Sequence, residues 1–181
     1  MITIIYFPHG TTVDNEAHIS SGWNDVELSA KGRQQSIDLK EKMKERHIDA
    51  VFSSDLQRAV ESARLAFGDR GIPLLTDKRL RECNYGTQNG GPSEIIEPLQ
   101  EQMITTRFPE GESYEDVKAR ISDFLEELKR DYPDKTVVII AHKAPQLALE
   151  VLVNGKSWDE AFRDDWRKTG AWQPGWEYKL R

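Results

Sequence analysis

Two histidines stand at the ends of the two strongest apolar runs in the chain. His9 follows Ile2 to Phe7 and Pro8, and His142 follows Val137-Val138-Ile139-Ile140-Ala141. Runs this short, β-branched and nearly continuous read as strands buried on both faces of a sheet. In an open α/β sheet, ligands bind beyond the carboxyl ends of the strands, where the strand order reverses. If the two strands are neighbours, His9 and His142 face one crevice. After His9, Gly10-Thr11-Thr12 supplies a flexible turn, two hydroxyls and backbone amides, as an anion site needs, and Asn15 adds a side-chain donor. Two other readings stand beside this one. A histidine at a strand end is commonly a loop residue with a satisfied hydrogen bond. Zinc is the weaker reading in a chain with four histidines, one cysteine and no HExxH.

The elements that must position these residues alternate along the chain. Ala50-Val51-Phe52 is a third candidate strand, and Tyr178 to Leu180 a candidate edge strand. Ser29 is a good N-cap for a helix over about residues 31–45, with Ile37, Leu39 and Met43 on its apolar side. Ser54 or Asp55 can cap a helix running through Arg58, Ala59, Ala63 and Phe67, with Gly68 near its end. Ser113 opens the clearest amphipathic stripe, Val117, Ile121, Phe124, Leu125 and Leu128, closed by Lys129 and Arg130. A further helix is expected over about residues 144–153. This alternation predicts a three-layer α/β/α sandwich with a largely parallel central sheet. Residues 79–112 are richer in Gly, Pro and polar groups and read as a lid or loop region over one sheet edge. Trp166, Trp172 and Trp176 read as packing residues.

Composition narrows the function classes. The 181 residues suit one domain spanning 1–181. A net charge of −6 argues against a general nucleic-acid binder, although a few local arginines can still hold a phosphate. The single Cys83 allows no intramolecular disulfide and no CxxC zinc site. The N-terminal run is too short for a signal peptide or membrane span. A cytoplasmic protein with no membrane partner is the expectation, as a monomer or homodimer.

Six blocks, in order, resemble the histidine phosphatase superfamily (phosphoglycerate-mutase-like). Pro8-His9-Gly10-Thr11-Thr12 with Asn15 is similar to its Arg-His-Gly element. Gly22-Trp23-Asn24-Asp25-Val26-Glu27-Leu28-Ser29 with Gly32 and Gln35 is similar to GWxDxxLSxxGxxQ. Ser53-Ser54-Asp55-Leu56-Gln57-Arg58-Ala59 resembles SSDLxRA, and Leu80-Arg81-Glu82 with Tyr85-Gly86 resembles LxExxxG. Phe108 to Ser113 resembles PxGES, and Ile139-Ile140-Ala141-His142 the strand-His element. The resemblance implies a phosphoglycerate-mutase-like fold and a metal-independent enzyme with no cofactor. It implies that His9 attacks phosphorus to form a phosphohistidine. Arg58 would then fork onto the phosphoryl oxygens, and His142, if protonated, would stabilise their charge. Glu82 would protonate the leaving alcohol and then deprotonate water. Gly10, Thr11, Asn15, Gly22 and Trp23 are the further substrate- and phosphate-binding candidates. His18, His47, Arg79 and Arg81 are expected at the surface.

Two departures bear on activity. Pro8 stands where the family has arginine, and it offers neither charge nor N–H. Losing one guanidinium contact to a transferring phosphoryl group costs on the order of 2–4 kcal/mol, or 30- to 1000-fold in rate. Lys143 stands after His142, where the family often has glycine. It either projects toward the pocket and partly replaces the missing charge, or points to solvent. The expected function is hydrolysis of a small phosphorylated metabolite, with mutase chemistry as a variant. A degenerate member that only binds a phosphorylated ligand or a protein partner is the competing class. Specificity is expected in residues 22–25 and 79–112.

Overall fold

The computed structural model describes residues 1–169 and 175–181. Strand β1 (Ile2–Pro8) leads into a one-turn helix α1 (Val13–Glu16) and a short strand β2 (Ile19–Ser20). Helix α2 (Ala30–Met43), strand β3 (Ala50–Ser53), helix α3 (Gln57–Phe67) and strand β4 (Leu74–Thr76) follow. Strand β5 (Gly91–Pro92) and helix α4 (Ser93–Gln100) precede the long helix α5 (Tyr114–Asp131). Strand β6 (Thr136–Ala141), helices α6 (Lys143–Leu152) and α7 (Trp158–Arg163), and strand β7 (Trp176–Leu180) complete the order.

The main sheet runs β4-β3-β6-β1-β7. Its first four strands are parallel, and β7 runs antiparallel along β1. The period of two in a strand sorts its side chains onto two faces. Ile5, Phe7, Val51, Val138 and Ile140 pack under α2 and α3, against Leu39, Met43, Ala63 and Phe67. Ile4, Tyr6, Phe52, Val137 and Ile139 pack under α5, α6 and α7, against Phe124, Leu128, Leu147 and Phe162. Both faces are covered, which is why β1 and β6 are apolar at nearly every position. The fold is the expected three-layer α/β/α sandwich, with β1 and β6 as neighbours and Pro8 beside Ala141.

Ser29 and Ser113 cap α2 and α5 as their spacing predicts, and Asp116 completes a capping box at α5. Three expectations change. Neither Ser54 nor Asp55 caps α3. Ser54 Oγ is bonded to His142 and Asp55 to Arg81, and the N–H of Gln57 donates to Asp25 Oδ1 at 2.7 Å instead. Asp25 therefore docks the segment after Gly22 onto the start of α3. Ile37 is 42% exposed rather than buried. Finally, the 79–112 region does not cover a sheet edge. Its β5 pairs with β2, and α4 contributes Ser93, Glu97 and Gln100 to a cavity that His9 and His142 also line, at the carboxyl ends of β1 and β6. Trp176 stacks edge-on against Tyr6 at 6.0 Å, whereas Trp172 and the Trp166 side chain lie outside what the structure describes. Among the described residues, no helix is long and apolar enough to cross a membrane.

Candidate active site

The cavity beyond β1 and β6 has a volume of about 260 Å³ and is lined by Pro8, His9, Arg58, Glu82, His142 and Lys143 among others. The ladder between the strands extends to the histidine itself, since the His9 N–H donates to the Ala141 carbonyl at 3.0 Å. The two imidazole centroids lie 5.0 Å apart.

One hydrogen bond decides what His9 can do. Its Nδ1 lies 2.7 Å from the Gly10 carbonyl oxygen, which can only accept. Nδ1 therefore carries the proton and Nε2 keeps its lone pair. Burial and then the Arg58 charge push the His9 pKa down to about 3, so the ring is neutral near pH 7. His142 is 1% exposed. Its backbone N–H donates to Tyr6 Oη at 2.9 Å, and that hydroxyl donates back to the His142 carbonyl at 2.6 Å. Its Nε2 meets Ser54 Oγ at 2.6 Å, and its Nδ1 is buried without a partner. Burial, Arg58 and His9 all hold it well below the usual histidine range. His142 is therefore held as a neutral ring, and the protonated form on which its charge-stabilising role depends is disfavoured.

Arg58 is buried in the first turn of α3. It donates to the Gly22 carbonyl at 2.7 Å and the Asn24 carbonyl at 2.9 Å, which fixes the plane of its fork. Gly22 has φ +55°, and a Cβ there would lie 1.9 Å from Asn89 Oδ1, so glycine is needed to aim this carbonyl. The Glu82 carboxylate accepts from the backbone N–H groups of Cys83, Lys143 and Ala144, at 2.9, 3.1 and 2.9 Å. It caps the start of α6 while lining the cavity.

Not every candidate lines the cavity as expected. The anion-binding turn after His9 is not formed, because its amides are engaged inside the protein. Gly10 N–H donates to Ser62 Oγ, Thr11 N–H to Gln35 Oε1, and Thr12 N–H to Asn15 Oδ1. Gly10 does not line the cavity. It is glycine because a Cβ would sit 2.3 Å from the Gly32 carbonyl of α2. Thr11 and Asn15 do line it, with Asn15 also closing the capping box of α1 through Oδ1. Trp23 is absent from the lining. Its Nε1 donates to the Glu82 carbonyl at 2.7 Å, and Arg81 stacks over its ring at 4.7 Å. Trp23 therefore buttresses Glu82 from behind. Lys143 reaches the cavity wall, but its ammonium lies 3.0 Å from the buried Asp165 carboxylate. His18, His47, Arg79 and Arg81 stay out of the cavity.

Several lining residues carry no sequence signal. Ser20, Ser21, Ser93, Glu97, Gln100 and Arg167 all line the cavity. They come from short elements whose approach depends on the tertiary fold. Among the described residues, no cluster of three His, Cys, Asp or Glu could hold a metal ion.

Comparison with known proteins places the chain in one family. The family model for the histidine phosphatase superfamily (branch 1) matches residues 4–173. Phosphoserine phosphatase 1 of Hydrogenobacter thermophilus is 26% identical over 157 residues, covering 82% of this chain and 74% of that protein. The 2,3-bisphosphoglycerate-dependent phosphoglycerate mutase of Streptococcus pyogenes is 38% identical over 110 residues. That match covers 58% of this chain, which spans about half (48%) of the mutase. The solved mycobacterial glucosyl-3-phosphoglycerate phosphatase in complex with VO3 superposes with a TM-score of 0.79 at 29% identity. It covers 89% of this chain and 86% of its own. The relatives are phosphatases and phosphoglycerate mutases, the solved phosphatase shares this fold, and the chain belongs to the histidine phosphatase superfamily, branch 1.

Proposed function

We propose that this protein is a metal-independent phosphomonoesterase that hydrolyses a small phosphorylated metabolite through a phosphohistidine on His9. The observation that carries the reading is the Nδ1–Gly10 hydrogen bond, which leaves a neutral Nε2 lone pair in a cavity shared with a buried guanidinium. Glu82 takes up the proton that a phosphomonoester monoanion brings into the cavity. Nε2 then attacks phosphorus, and the bond to the leaving oxygen breaks as Glu82 passes that proton to it. A water then enters, Glu82 takes its proton, and the oxygen displaces Nε2 from phosphorus. Inorganic phosphate leaves and His9 returns to its neutral tautomer. Arg58 holds the phosphoryl oxygens throughout, in the geometry that two carbonyls impose. His142 starts neutral, and the arriving phosphoryl charge favours its protonation. Asn15 is a further donor at the wall.

The rest of the wall supports hydrolysis of a monoester over exchange with a bisphosphate. Helix α4 contributes the Glu97 carboxylate and Gln100, whose Oε1 is buried without a partner. Ser20 and Ser93 add hydroxyls. Acceptors of this kind suit a leaving group that donates hydrogen bonds through hydroxyls or an amine, and Glu97 repels a second phosphate. Phosphoserine and glucosyl-3-phosphoglycerate, named for two of the relatives, both carry such donors. The single buried Cys83 fits a cytoplasmic enzyme.

Pro8 favours one other reading, a protein that holds a phosphorylated ligand without turning it over. Phosphate release from hydroxylated and amino phosphomonoesters and an aryl phosphate separates the two. Release that persists with chelator and disappears in His9→Ala supports the enzyme. Release no greater than that of His9→Ala across the panel establishes the binding protein.

A further inference from the structure

We propose that Arg167 is the second phosphate-binding guanidinium of this cavity, acting from the C-terminal turn in place of an arginine at position 8. The proposal rests on the reading of the cavity as a phosphoryl site and names the cation that completes it.

Three observations converge on Arg167. The first is where a charge at position 8 would lie. Even-numbered residues of β1, Ile4 and Tyr6, face the layer of α5, α6 and α7. Position 8 continues that series. Arg58 comes from α3, which covers the opposite face. The site is thus supplied with a cation from one side of the sheet, and Pro8 withholds one from the other.

The second is what occupies that other side. Residues Trp166–Thr169 form a 3-10 turn just after α7, and Arg167 from this turn lines the cavity together with Pro8, His9 and His142. Its charge acts on His9, His142 and Tyr6, helping to keep both imidazoles unprotonated.

The third is how the charge is held. Asp165 is a buried carboxylate that bonds Arg167 twice through Oδ1, from the guanidinium NH1 at 2.9 Å and the backbone N–H at 3.2 Å. Its Oδ2 lies 3.0 Å from Lys143 Nζ. Asp165 thus faces two cations, Lys143 and Arg167. The Lys143 ammonium faces Asp165 and the Phe162 ring, at 5.8 Å from the ring centroid. The guanidinium has five donors in a planar fork, Asp165 orients it through NH1, and Arg167 lines the cavity. Asp165 is therefore a positioning residue and Arg167 the group that meets phosphate.

Two readouts test this separately from the hydrolase reading. Orthovanadate affinity measures the oxyanion site directly, and kcat/KM for an aryl phosphate measures turnover. Arg167→Ala and Arg167→Gln should each weaken both by about 30- to 1000-fold, with Arg167→Lys in between. Pro8→Arg should restore at least tenfold in the Arg167→Ala background while adding little to the wild type, because the two cations serve one function. Thermal unfolding of each variant checks that the fold is intact. If both variants bind vanadate as the wild type does, the proposal is overturned, whatever the turnover. It is also overturned if only KM for substrates with an acidic leaving group rises, since Arg167 would then read the leaving group. If no form releases phosphate yet vanadate binding depends on Arg167, the hydrolase reading fails and this one stands.

Discussion

Lowering the pH from 7.5 to 5.0 should destabilise the protein through His9. Burial and the Arg58 charge push its pKa from 6.5 to about 3 in the folded chain. On unfolding the imidazole returns to about 6.5. Between those two values the unfolded chain binds a proton that the folded chain refuses. The contribution to stability is therefore fully present above pH 6.5 and is lost progressively as the pH falls toward 3. At pH 5.0 the imbalance is roughly 1.5 pH units at 1.36 kcal/mol each, about 2 kcal/mol as an upper value, because the cavity admits water. That is a large share of a typical folding stability of about 5–15 kcal/mol. His142 is pushed the same way and steepens the loss. Urea unfolding of wild type and His9→Gln at the two pH values isolates the His9 share, since groups titrating in both proteins cancel. The wild type should lose about 1–2 kcal/mol more than His9→Gln. Equal losses would refute the neutral, buried imidazole and with it the lone pair on which the proposed chemistry depends.

Two further outcomes follow from the same contacts. Glu82→Gln should lower kcat for phosphate release by about 10²- to 10⁴-fold, the range expected for losing a general acid–base group. It should also lower the melting temperature, because an amide NH₂ would then face one of the N–H groups of Cys83, Lys143 and Ala144 that the carboxylate now accepts. Gly22→Ala should cost about 1–3 kcal/mol by denaturant unfolding, since its φ of +55° and the 1.9 Å approach to Asn89 leave no room for a Cβ. It should also weaken vanadate binding, as the carbonyl that holds Arg58 moves.

What could be read in advance divides by the range of the interaction. The β-branched runs of β1 and β6 and the caps Ser29 and Ser113 are local signals, and the structure has them where the residues place them. Ordered blocks around His9, Arg58, Glu82 and His142 gave the cavity its cast, and all four line it. The misses are non-local. The amides of Gly10 and Thr11 look available in sequence, but Ser62 and Gln35, from α3 and α2, arrive to take them. Ser54 looks like a helix cap, but a buried imidazole 88 positions away claims its hydroxyl. Arg167 sits in Trp166-Arg167-Lys168, a stretch with no spacing to mark it, and only the packing of α7 brings it to the end of β1. Trp23 has the opposite lesson, since a residue in a strong block turns out to support the acid from outside the cavity.

Pro8 itself becomes intelligible from the ladders. In β1, the N–H groups of Thr3 and His9 donate toward β6, which leaves the even positions turned toward β7. Among the described residues, β7 pairs with β1 from Ile2, opposite Leu180, to Tyr6, opposite Trp176. Pro8 pairs with Ala141 of β6, the side toward which the odd-numbered N–H groups donate, so a residue without an N–H breaks none of the described β1–β6 ladder bonds. Proline is tolerated on backbone grounds, and what it changes is the charge on one side of the cavity. The guanidinium charges of Arg58 and Arg167 both act on His9 and His142. The cations that disfavour an imidazolium are the same cations that favour a phosphoryl dianion in its place. Burial does most to keep the two rings neutral, but Arg58 and Arg167 both add to it. Arg58 and Arg167 thus bring two guanidinium groups to one cavity on a protein whose net charge is −6.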